Sequence, residues 1–107
     1  MLSEEMPAFI EAGYPDRLGP ARGTAVTNGN DTVAIFQVDG VIHAVEAWCL
    51  RCGACLAEGG ITGSIVACRG CEWRYEVTTG AVVGLAALRL DTFNVEVVKG
   101  RIIITSS

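Results

Sequence analysis

All five cysteines of the 107-residue chain fall between positions 49 and 71. Four of them form two C-x-x-C pairs, Cys49-Leu50-Arg51-Cys52 and Cys68-Arg69-Gly70-Cys71, with fifteen residues between the pairs. A two-residue spacer lets both thiolates of a pair turn toward one point, while a tight loop aims backbone amides at the sulfurs. Two such pairs supply four soft ligands, a donor set that suits Zn²⁺ or iron–sulfur chemistry and not Mg²⁺ or Ca²⁺. The fifth cysteine, Cys55, is the alternative to Cys52 as fourth ligand, with knuckle spacing favouring Cys52. Spacing alone leaves three centres open: a zinc ribbon, a single rubredoxin-like iron and a [2Fe–2S] cluster. Buried free thiols or one disulfide would not explain why every cysteine crowds into one segment.

The rest of the composition narrows the function. A net charge of −4 argues against nucleic acid, which asks for clustered Lys and Arg, and suits docking onto a basic partner face. No stretch approaches the ~20 apolar residues of a membrane span. The opening MLSEEM places acids where a secretory leader would carry positive charge. The expected location is therefore cytoplasmic, where thiols stay reduced and clustered cysteines mean metal or redox chemistry more often than a disulfide framework. No Ser-His-Asp set, catalytic carboxylate pair or phosphate-binding Gly loop is present, so an enzyme is not expected. The length predicts one domain over 1–107.

The elements that must position the cysteines read as all-β. Val33–Val38 and Val41–Val45 flank Asp39-Gly40, a strong hairpin signal. Asn94–Val98 and Arg101–Thr105 repeat the pattern about Lys99-Gly100, with Glu96 and Arg101 on an outward face. A third hairpin is predicted from Trp73–Val77 through Thr78-Thr79-Gly80 to Ala81–Val83. Pro7, Pro15 and Pro20 confine the first twenty residues to a short edge strand and irregular connection. Between Trp48 and Glu72 the apolar runs are short and glycines frequent, so this segment needs something besides side-chain burial to order it. Trp48 and Trp73 flank the loops and are expected to pack beneath the site. His43, alternating with apolar neighbours, reads as a structural or surface histidine.

These residues resemble a family. Rieske [2Fe–2S] domains carry C-x-H in one loop and C-x-x-H in a second, within stretches such as C-P-H-x-G-A-P-L and C-P-W-H-G-W-R-F-D. Here the corresponding stretches are Cys49-Leu50-Arg51-Cys52-Gly53-Ala54-Cys55-Leu56 and Cys68-Arg69-Gly70-Cys71-Glu72-Trp73-Arg74-Tyr75-Glu76. The resemblance extends from about Pro7 to Thr105 and implies antiparallel sheets in a sandwich with a two-loop metal-binding subdomain at about 48–76. Cys49 and Cys68 match the family's two cysteine ligands. The histidine positions hold Arg51 and Cys71, and the chain's one histidine, His43, precedes both loops. A two-histidine iron therefore cannot be assembled from one chain.

The resemblance implies a small soluble electron carrier with a [2Fe–2S] cluster on Cys49 and Cys68; position plus thiolate chemistry adds Cys71, and chemistry alone adds Cys52, to make an all-cysteine ligand set. The carrier would serve as the ferredoxin component of an oxygenase or reductase system, with those proteins as redox partners. The alternatives are a zinc-stapled binding module and a cluster-free accessory subunit of the same fold. An all-thiolate cluster is more negative than the two-histidine form. Its potential should lie nearer the roughly −400 mV of all-cysteine ferredoxins than the roughly −150 to +300 mV of Rieske centres.

Overall fold

The computed structural model describes residues 9–11, 23–28 and 31–106. Its strands are β1 (Phe9–Glu11), β2 (Thr24–Asn28), β3 (Asp31–Val38), β4 (Val41–Glu46), β5 (Ile61–Thr62), β6 (Ile65–Ala67), β7 (Arg74–Glu76), β8 (Ala81–Val82), β9 (Leu85–Arg89), β10 (Thr92–Val98) and β11 (Arg101–Ser106). They form two antiparallel sheets, one ordered β1-β11-β10-β4-β3-β2 and the other β5-β6-β7-β8-β9. Among the described residues a 3-10 turn, Leu56–Glu58, interrupts the strands. Among the described residues, no helix is long and apolar enough to cross a membrane.

The apolar run of β3 shows why the sheets stack as they do. Val33, Ala34, Ile35 and Phe36 are all buried, and alternate side chains of a strand point to opposite faces. Val33 and Ile35 join Ala44, Ile102 and Ile104 in one cluster. Ala34 and Phe36 join Val45, Leu56, Val66, Tyr75, Val77 and Leu90 in a second, larger one that also contains Cys49 and Cys68. The main core therefore runs from the larger sheet into the cysteine loops. Removing a fully buried side chain such as Leu56 or Phe36 would cost about 2–5 kcal/mol and disturb the base of those loops.

The predicted hairpins form. Val38 pairs with Val41 and Val98 with Arg101. Both two-residue turns are left-handed at each position: Asp39 at φ 51° with Gly40 at 81°, and Lys99 at 53° with Gly100 at 81°. This is the primed turn whose twist matches that of paired strands. In the last hairpin Glu96 opposes Ile103 and Arg101 opposes Val98 on the more exposed face, while Ile102 and Ile104 turn into the core. The third hairpin is short, held by the Tyr75–Val82 pair. At the N-terminus β1 is an edge strand against β11; the three prolines lie outside the described residues.

One expectation is revised. Trp48 is 49 % exposed: it forms a lone bridge with Cys55 and presents much of its ring to solvent instead of lying beneath the site. Trp73 does pack against the main core. His43 sits in β4 opposite Phe36, partly buried, as a strand histidine outside the cysteine group.

Candidate metal centre

The two C-x-x-C segments fold into the same local shape. In the first, the Cys49 N–H donates to the Ala54 carbonyl at 2.9 Å and the Gly53 N–H to the Cys49 carbonyl at 3.0 Å. In the second, the Cys68 N–H donates to the Trp73 carbonyl at 2.7 Å and the Glu72 N–H to the Cys68 carbonyl at 3.0 Å. The residue after each pair turns left-handed, Gly53 at φ 79° and Glu72 at 69°. Glycine adopts that conformation freely, whereas Glu72 takes it at a conformational cost. In both loops the N–H two residues on points at the leading sulfur: Arg51 to Cys49 Sγ and Gly70 to Cys68 Sγ, each at 3.4 Å.

These matched loops face each other. The Sγ atoms of Cys49, Cys52, Cys68 and Cys71 all lie within 4.8 Å of one another. Cys49 stands 3.6 Å from Cys71, and Cys52 3.4 Å from Cys68, each contact spanning the two loops. Cys49 and Cys68 are buried, Cys71 is partly covered, and Cys52 is exposed. The structure does not bring Cys55 into the group. It caps the 3-10 turn instead, beside a cavity of about 410 Å³ also bounded by Gly23, Ala25 and Arg69.

Tyr75 joins the loops from below. Fully buried on β7, its hydroxyl accepts the Leu50 N–H at 2.9 Å and lies 3.2 Å from Cys49 Sγ. Having accepted from Leu50, it is placed to donate its own proton to the sulfur. No chemical motif in the sequence marks Tyr75 as functional; its one signal is that it stands where the family motif has phenylalanine, and the added hydroxyl needs a partner once buried.

The thiols differ in acidity. Burial opposes ionisation of Cys49, but the Tyr75 hydroxyl and the N–H groups of Cys52 and Arg51 outweigh it and lower the thiol to about 6. At Cys68 burial prevails over the Gly70 and Cys71 N–H groups and pushes the thiol up to about 12. For Cys71 the Trp73 N–H favours the thiolate, yet burial and hydrogen bonds with Cys49 and Cys52 leave it raised. Tyr75 is raised by burial and by Cys49, so it keeps its proton. Cys49 is thus the first thiolate to form, and ligands of this kind bind metal as thiolates.

The two arginines of the loops have separate engagements. Arg51 lies over the Trp73 ring, 5.6 Å from its centroid. Arg69 pairs with Glu58 at 3.1 Å in an exposed contact, which is worth little to stability.

The fold is thus two antiparallel sheets with two matched loops that bring four cysteine sulfurs together. The family described as Rieske-like [2Fe-2S] domain matches residues 8–105, and this chain belongs to it. Among curated proteins no significant match is found. Solved structures share the fold at low identity. The ferredoxin of carbazole 1,9a-dioxygenase from Nocardioides aromaticivorans IC177 superposes with a TM-score of 0.83 at 24 % identity, over 92 % of this chain and 98 % of its own. A chain from a complex of reduced oxygenase and oxidized ferredoxin in carbazole 1,9a-dioxygenase gives 0.84 at 23 %, over 92 % and 94 %. A candidate small subunit of an NADH-dependent nitrite reductase from Mycobacterium tuberculosis gives 0.84 at 22 %, over 96 % and 98 %.

The donor set departs from a two-histidine centre, because four sulfurs and no imidazole converge. Metal–sulfur bonds of about 2.3 Å set tetrahedral S–S edges of roughly 3.8 Å. The two contacts between the loops, 3.6 and 3.4 Å, lie near that edge, and no pair of the four sulfurs exceeds 4.8 Å.

Proposed function

We propose that this protein is a one-electron carrier, in which Cys49, Cys52, Cys68 and Cys71 hold a redox-active iron centre that exchanges electrons with a protein partner. One observation carries the reading: four cysteine sulfurs from two matched loops lie within 4.8 Å of one another. Membership of a [2Fe-2S] domain family supports iron as the metal. Bound there, iron supplies a reversible one-electron couple; the chain supplies its surroundings. Cys49 and Cys68 anchor the site in the core, the Arg51 and Gly70 N–H groups and the Tyr75 hydroxyl stabilise thiolate charge, and exposed Cys52 brings one edge to the surface. Hydrogen bonds to ligand sulfurs and solvent exposure are levers that tune such a centre.

A partner of the oxygenase or reductase class is supported by the likeness to a ferredoxin component of an oxygenase system. The surface offers a place for contact, with Trp48 and Leu50 exposed beside the first loop. The likeness to ferredoxins also supports the role of carrier for this chain.

Anaerobic purification from iron-replete cells, followed by reductive titration, tests the reading. The expected protein is coloured, bleaches reversibly with one electron per chain, and passes that electron to an oxygenase component or an artificial acceptor. Colourless protein without iron would defeat it. A protein loaded with zinc alone would favour the second reading, in which the metal staples the loops. The closed four-sulfur arrangement also suits that role, since structural zinc sites leave no ligand position open. Replacing Cys52 with Ser should abolish normal loading, whereas Cys55→Ser should leave it intact.

A further inference from the structure

We infer that the centre holds one metal ion and not the dinuclear cluster of the family. The inference rests on the four-cysteine reading above and concerns what those residues accommodate.

Spacing is the first observation. No pair among the four sulfurs is separated by more than 4.8 Å, and the two contacts between loops are 3.4 and 3.6 Å. A tetrahedral ion with bonds of about 2.3 Å needs edges of roughly 3.8 Å. In a [2Fe–2S] cluster two irons and two bridging sulfides intervene, and thiolates at opposite ends stand on the order of 5–6 Å apart. Whichever way the four sulfurs are paired, the cluster requires four such long separations, and the structure shows none.

The second observation is that the loops are fastened at this distance. Gly70 is packed so tightly that a Cβ there would stand 2.8 Å from Cys52 Sγ and 3.1 Å from the Ala54 Cβ. The backbone of the second loop thus rests on the ligand of the first. Tyr75, on β7 beyond the second loop, is bound to both Leu50 N–H and Cys49 Sγ of the first. Opening the loops for a cluster would undo these contacts.

Local symmetry is the third. Each loop directs one N–H to its leading sulfur and closes with a left-handed residue. Two equivalent half-sites facing each other supply two sulfurs each to one point. That is the donor arrangement of a mononuclear tetrathiolate ion.

The test uses the full chain, purified anaerobically from iron-replete cells and analysed for iron, zinc and acid-labile sulfide. A second portion is stripped and rebuilt with ferrous iron in the presence of sulfide. The expected result in both is one ion per chain, iron and zinc together, with no labile sulfide. Two irons and two sulfides per chain in either portion would overturn the inference. If the protein is isolated without metal, titration with Co²⁺ decides: a breakpoint at one ion per chain with a tetrahedral thiolate spectrum sustains it, and absence of binding overturns it. The outcomes also separate the two proposals. One zinc per chain would keep the single-ion site and defeat the electron carrier, whereas a functioning two-iron, two-sulfide protein would do the reverse.

Discussion

The Tyr75 hydroxyl is shared between the Leu50 N–H at 2.9 Å and the Cys49 sulfur at 3.2 Å, so one buried side chain of the smaller sheet holds both backbone and ligand of the opposite loop. In Tyr75→Phe the ring and its packing remain while both hydrogen bonds disappear. Leaving the Leu50 N–H unpaired should cost about 1–3 kcal/mol, read as a lower denaturation midpoint in urea. Loss of a donor to a ligand sulfur should also make the bound iron harder to reduce, so voltammetry should show a more negative potential than in the parent protein.

Gly70 meets Cys52 through space, not through sequence. A methyl group at position 70 would stand 2.8 Å from the Cys52 sulfur, and the sulfur must shift to admit it. Gly70→Ala should therefore weaken metal retention against a chelator by tenfold or more while leaving the larger sheet folded. Competition with a chromophoric chelator measures the first effect, and far-ultraviolet circular dichroism the second.

The metal-free, reduced protein should respond to pH through its unequal thiols. Cys49 falls from an ordinary 9.0 to about 6. Its contribution to stability is complete above pH 9 and is lost as pH falls through 6. Cys68 rises from 9.0 to about 12, so its contribution is present below pH 9 and is lost as pH rises through 12. Urea midpoints should rise from pH 6 toward 9 in the parent chain, and Cys49→Ser should flatten that rise.

With iron bound, the potential should be nearly constant across the neutral range. The four converging ligands are thiolates, and His43 stands in β4 outside the group, so no ligand imidazole is available to titrate. Square-wave voltammetry between pH 6 and 8 checks this; a slope near one proton per electron would point to a titrating ligand.

Much of this arrangement was legible in the sequence because its causes are local. Asp39-Gly40 and Lys99-Gly100 announce their turns through backbone preference, and the paired C-x-x-C motifs announce soft-metal chemistry through ligand type and spacing. The choice of Cys52 over Cys55 as a member of the group follows from the knuckle: the chain reverses at Gly53, which leaves Cys52 facing Cys68 and sends Cys55 to the start of the 3-10 turn. Relations across the fold were not legible. Tyr75 and Cys49 are brought together only when β7 packs beneath the first loop. Trp48 could not be placed because its exposure depends on how the first loop sits on the core. Sulfur spacing, which distinguishes a single ion from a cluster, likewise belongs to the facing of two loops and to neither loop alone.

In the proposed centre Cys49, Cys52, Cys68 and Cys71 together supply the entire ligand set. X-ray absorption at the edge of the bound metal tests this. Four sulfur scatterers at about 2.3 Å, with no nitrogen or oxygen in the first shell, is the predicted result. A shell with fewer than four sulfurs, completed by nitrogen or oxygen, would contradict it.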